Sequence, residues 1–136
     1  MSRRQTLDMA AICASGLCIV HCAASVAGLF ALGFLSALGW VDEWFHQALL
    51  VLIIPVTTLA IGMGYRQHRR DGVLLLAIVA LSAMLAIAFF EEALHQQRWL
   101  EALLTAIAGS ALIAAHMLNI RHCRDCQLHS EECTDG

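Results

Sequence analysis

Four long stretches of this chain carry no charged residue, and each ends in a cluster that does. They run from Met9 to Val41, Ala48 to Tyr65, Gly72 to Phe90 and Ala102 to Ile120, and they stop at Asp42-Glu43, Arg66, Glu91-Glu92 and Arg121. The last three are 18 or 19 residues long, close to the ~20 that a helix needs to cross a bilayer. Hydrocarbon offers the backbone no water to bond, so a crossing segment must be a helix or part of a closed barrel. Apolar runs without strict alternation select helices. With 60% hydrophobic and 14% charged residues in 136, the chain is too apolar for an ordinary soluble domain of its size.

The expected fold is all-α, an integral membrane four-helix bundle, with helices at about 9-39, 47-65, 72-90 and 101-121. Residues 1-122 form one transmembrane domain and residues 123-136 a Cys/His-rich cytoplasmic tail. There is no lysine. Arg3, Arg4, Arg66, Arg69, Arg70, Arg121 and Arg124 fall at one end of such a bundle and only Arg98 at the other, so the positive-inside rule places both termini in the cytoplasm. Pro55 should kink the second helix. Gly28, Gly33 and Gly39 offer places to bend or end the overlong first one. A cleaved signal peptide is the rival reading of that first run, because Arg3-Arg4 precede it and Ser25-Val26-Ala27 is a small-residue site. Against it, the run continues well beyond a signal core of about 7 to 15 residues.

Inside the first run stands Cys18-Ile19-Val20-His21-Cys22. Ionisable groups in a membrane span are costly and mark functional sites by default. On a helix, residues three and four apart share a face, so Cys18, His21 and Cys22 can grip one metal ion. The same face continues as Asp8, Ala11, Ser15, Cys18, Cys22 and Ser25, a spacing of three and four that makes a packing seam. Thr105, Gly109, Leu112, His116, Asn119, Cys123 and Cys126 repeat the rhythm in the fourth run. Facing each other, the two small and polar seams would put Cys18, Cys22 and His116 on one internal path, with Cys123 and Cys126 at its cytoplasmic exit. An ion handed along such a ladder would never stand bare in hydrocarbon, where an unpaired charge is prohibitively costly.

The outer end is acidic: Asp42, Glu43, Glu91, Glu92 and Glu101 face the single Arg98, a distribution that attracts cations. His46, just behind Asp42-Glu43-Trp44-Phe45, is placed to meet the ion early. The tail Cys123-Arg124-Asp125-Cys126, followed by His129 and Cys133, is a metal-ligand grouping tighter than the usual structural zinc modules. In a reducing cytoplasm its thiols should stay free for metal or exchange. Other residues read more plainly. Cys13 is a small hydrophobe off the seam, Met63 and Met84 are gap fillers, His68 is a solvated loop residue, and Asn119 is a hydrogen bonder between helices.

Taken together, Ser15-Gly16-Leu17-Cys18-Ile19-Val20-His21-Cys22, Asp42-Glu43-Trp44-Phe45-His46, Gly64-Tyr65-Arg66-Gln67-His68-Arg69-Arg70 and His116 through Cys126 resemble the MerC family of bacterial mercury-resistance membrane proteins. The likeness covers nearly the whole chain. It implies a multi-pass protein of the bacterial inner (plasma) membrane that takes up mercuric ion toward the cytoplasm through one cysteine pair in the first helix and another at the cytoplasmic end. Those roles fall on Cys18 and Cys22, and on Cys123 and Cys126. Members often carry a proline shortly after the first His-Cys, whereas this chain reads Ala23-Ala24-Ser25-Val26.

Coordination chemistry alone leaves the ion open. Two thiolates in a dry, sparse site suit Hg(II) or Cu(I), while thiolates joined by His21, His46 and His116 suit Zn(II). The expected partners are the metal ion, the lipid bilayer and a cytoplasmic metal acceptor. No obligatory cofactor is expected, nothing supports nucleic-acid binding, and oligomer formation is left open. Alternatives in another class are a membrane thiol-redox protein or a haem-binding sensor. Catalysis has less support, since no nucleophile, base and orienting group and no phosphate-binding loop appear in the sequence.

Overall fold

The computed structural model describes residues 3–32, 39–90 and 97–128, of which the side chains of 3–4, 25–32, 39–46, 98 and 127 are left aside. Among the described residues the fold is helical throughout: α1 Arg3–Leu32, α2 Gly39–His68, α3 Asp71–Phe89 and α4 Arg98–Leu128. Each contains a segment long and apolar enough to span a bilayer, and the protein is a multi-pass membrane protein. The helices overrun the apolar runs because arginine, glutamine and glutamate are good helix formers once the chain leaves hydrocarbon. Thus Trp40 to His46 lies within α2, and Cys123 and Cys126 extend α4. The second helix passes through Pro55 without a break in its assignment. Gly28 lies within α1 and Gly39 opens α2, while Gly33 lies outside the described residues.

Packing follows the two seams. Helix α4 touches α1, α2 and α3, and α2 touches all three others, whereas α1 and α3 lie on opposite sides of that central pair. Asp8, near the start of α1, meets Asn119, near the end of α4, so the two run antiparallel and both described ends of the chain lie at one end of the bundle. Asp8, Ala11, Ser15, Cys18 and Cys22 are buried on α1, as are Thr105, Leu112, His116, Asn119 and Cys123 on α4. The backbones come close where side chains are small. A Cβ on Gly109 would stand 3.1 Å from Ile19 Cγ1 and 3.7 Å from the Ser15 carbonyl oxygen. Outward faces carry Val20, Val51, Leu75 and Ile107 in the open, an apolar surface that lipid would cover.

Between α2 and α3 the chain turns in two residues. Arg69 adopts a left-handed conformation with φ 46°, and its N–H bonds the Tyr65 carbonyl at 2.8 Å, a helix ending that glycine usually supplies. Arg70 is extended. The Tyr65 hydroxyl donates to Asp71 Oδ1 at 2.8 Å across the turn.

Candidate functional site

The α1–α4 interface holds two polar groups on one line. The first is the thiol pair. Cys18 and Cys22 are 3% and 6% exposed, one helical turn apart, and their side chains hydrogen-bond each other. Both are free thiols. His21, between them, is half-buried on the flank of the seam. Beside Cys18 lies a cavity of about 30 Å³ walled by Leu49, Ile53, Met84, Glu101 and Thr105. It offers room for one or two water-sized species, and it lies toward the α4 N-terminus, at the outer end of the sequence-derived topology.

The second group sits about 15 Å away along α1, ten residues at ~1.5 Å each, and contains the largest buried polar cluster among the described residues. Asp8, His116 and Asn119 are fully buried, Thr57 and His68 nearly so. A carboxylate oxygen can only accept, so His116 Nδ1–H donates to Asp8 Oδ1 at 2.7 Å. His116 Nε2 then accepts from the Thr57 hydroxyl at 3.2 Å. The Asn119 amide nitrogen donates to Asp8 Oδ1 at 3.0 Å and Oδ2 at 3.1 Å, and approaches the Ala60 carbonyl at 3.3 Å. Its oxygen accepts from His68 Nε2–H at 3.0 Å. That tautomer is set by the strained turn, because Arg70 N–H donates to His68 Nδ1 at 3.0 Å. His68 faces His122 with ring centroids 5.7 Å apart.

Asn119 reaches this position through a gap in α2. A Cβ on Gly64 would overlap the Asn119 side chain, passing within 2.6 Å of its Cγ. Between the two groups lies Ser15, fully buried, with its hydroxyl unpaired.

The sequence-derived candidates therefore separate. Cys18 and Cys22 lie side by side, and His116 lies on the facing seam but a long step away from them, with both ring nitrogens engaged. Among the described residues no three His, Cys, Asp or Glu side chains converge as a metal site. Cys123 is a buried free thiol on α4. Cys126 is half-buried and disulfide-bonded, where a reducing cytoplasm led us to expect a free thiol. The His46 side chain lies outside the described residues, as do His129 and Cys133.

Two members of the polar cluster, His68 and Thr57, escaped the sequence reading. His68 is not a solvated loop residue: it is 8% exposed and bonded to α4. Its signal was the spacing of Ile53, Thr57, Ala60, Gly64 and His68 by four, three, four and four, a third seam of small and polar residues. Thr57 stands on that same seam, and Asp8, named on the α1 seam, proves to be the carboxylate that joins it to His116 and Asn119.

Against this geometry, the family model for the MerC mercury resistance protein matches residues 8–121. The chain belongs to the MerC mercury resistance protein family. The matched span begins at Asp8 and takes in both thiols, Thr57, His68, His116 and Asn119, while Cys123 and Cys126 lie just beyond it. Searches of curated proteins and of solved structures returned no match. Membership links this MerC chain to mercury resistance in a membrane setting.

Proposed function

We propose that this MerC protein carries a soft metal ion, mercuric ion first, across the bacterial inner membrane into the cytoplasm, with both termini on the cytoplasmic side. The observation that carries the proposal is the buried Cys18–Cys22 pair, which offers two thiols and no third strong ligand among the described residues. A site with two sulfurs satisfies an ion content with few ligands, as Hg(II) and Cu(I) are, better than zinc, which takes four. On helix geometry, positions four apart have Cβ atoms about 5–6 Å from each other, a span that one ion can bridge.

The route is a sequence of ligand exchanges. The ion enters at the acidic outer end, binds Cys18 and Cys22 with loss of their protons, and leaves toward the Cys123 thiol and a cytoplasmic acceptor; Cys126, held in a disulfide, takes no part unless it is reduced. His21 is a flanking nitrogen donor, and His46 stands nearer the outer end. Below Ser15 the path is shut by the Asp8–His116–Asn119–His68 cluster, so release requires that cluster to open. His116 is already oriented by a carboxylate, the usual outer partner of a ligating histidine; to bind metal through Nε2 it would give up Thr57.

Whole-cell accumulation of mercuric chloride tests the proposal. Cys18→Ser and Cys22→Ser should each reduce it to the level of cells lacking the protein. Unchanged accumulation in both variants would refute transport through this pair.

A further inference from the structure

The cavity beside Cys18 contains two side chains that the transport proposal does not use. Met84 is 5% exposed on α3, and Glu101 is half-buried in the first turn of α4; both line the same space as Cys18. A thioether against an apolar wall usually fills a gap. Here it borders an unfilled space next to a thiol, and it is the only methionine of α3. Glu101 lies two residues inside the α4 membrane segment, which begins at Trp99. A carboxylate at that depth is costly unless a cation or water meets it, and no hydrogen bond or ion pair to it is found among the described residues.

We propose that this cavity is a loading site, distinct from the thiol pair, in which Glu101 and Met84 receive the incoming soft cation before Cys18 does. It rests on the transport proposal and names how its site is filled. Glu101 attracts the divalent ion to the mouth and offsets its charge as water is shed. The Met84 sulfur then supplies a neutral, soft, readily displaced ligand. In the exchange that follows, the bond from the metal to Met84 sulfur breaks as the bond to Cys18 sulfur forms. The thiol proton leaves to water at the mouth, and the metal keeps its oxidation state. Because no three His, Cys, Asp or Glu side chains converge among the described residues, the ion is held by few groups at a time and moves on rather than being trapped. The thioether also discriminates, since soft sulfur favours mercury or copper over harder ions.

The test is the rate at which mercuric chloride loads Cys18 in the purified full-length protein, followed by mercury–thiolate absorbance, with uptake into proteoliposomes measured separately. Met84→Leu should slow loading about tenfold while leaving the final amount bound unchanged, an effect of the size seen for secondary metal contacts. Glu101→Gln should slow it severalfold at low salt and less at high salt, and Glu101→Asp should restore part of the rate. Wild-type loading rates in both Met84→Leu and Glu101→Gln would overturn the loading site. So would equal slowing of zinc chloride loading by Met84→Leu, which would show no preference for a soft ion. Intact, variant-sensitive loading without uptake would leave the loading site standing and remove transport alone, whereas absence of loading in the wild type would remove both.

Discussion

Above Ser15 the α1–α4 interface sets two thiols, Thr105 and Glu101 among hydrocarbon around a cavity; below it, five polar side chains from three helices are joined by hydrogen bonds of 2.7 to 3.2 Å. The same two helices, packed by the same three-and-four rhythm, thus end in opposite ways. The inner end uses polar groups to fix which helices meet and in what register. The other end pairs its two thiols with each other and borders them with a cavity of about 30 Å³. A buried polar cluster is stabilising only when every member is satisfied, and the inner one comes close to that. On the proposed function, fold and binding are divided between the two halves of one interface.

That division predicts a double dissociation. The largest effect on stability should come from Gly64→Val, which forces Asn119 out, wedges α2 from α4 and leaves the buried Asp8 carboxylate with His116 alone; a loss of about 3–5 kcal/mol is expected from breaking a buried charged network, read as thermal unfolding of the purified protein. Asn119→Ala, which removes the link among Asp8, Ala60 and His68 without adding bulk, should cost about 2 kcal/mol. In material that still folds, mercury loading at Cys18 should survive it. If loading and stability fall together, the two halves are not separable.

Gly109→Ala presses on Ile19, a flexible side chain that can give way, and should cost about 1 kcal/mol or less. Cys18→Ser should change stability by a similar or smaller amount while abolishing loading, the reverse pattern to Asn119→Ala. The smallest change acts on the turn: Arg69→Gly relieves a left-handed residue and should stabilise by about 1 kcal/mol or less. It should leave mercury loading unaltered, since the turn serves the inner end only.

How much of this the sequence disclosed follows the same line. Helix number and type were legible because lipid leaves few solutions for an uncharged run. The facing of the α1 and α4 seams was legible too, because small residues mark close approach. His68 was misjudged because a polar residue at the end of a span looks alike whether it faces water or a neighbouring helix. Which it faces depends on the register of a third helix, here set by Gly64 admitting Asn119. Cys18 and Cys22 were found because thiols in hydrocarbon are rare. That His116 stands so far below them came from antiparallel stagger, which neither helix carries alone. The cavity beside Met84 was invisible in the same way, being a property of four helices at once.

The central claim is that Cys18 and Cys22 together hold one soft ion with two sulfur ligands. X-ray absorption spectroscopy of the purified protein, with Cys123, Cys126 and Cys133 replaced by serine and one equivalent of mercuric chloride added, addresses it directly. The account predicts a spectrum described by two sulfur neighbours and no nitrogen or oxygen, lost on further replacement of Cys18. A mercury centre with three or four ligands, or one indifferent to Cys18, would contradict it.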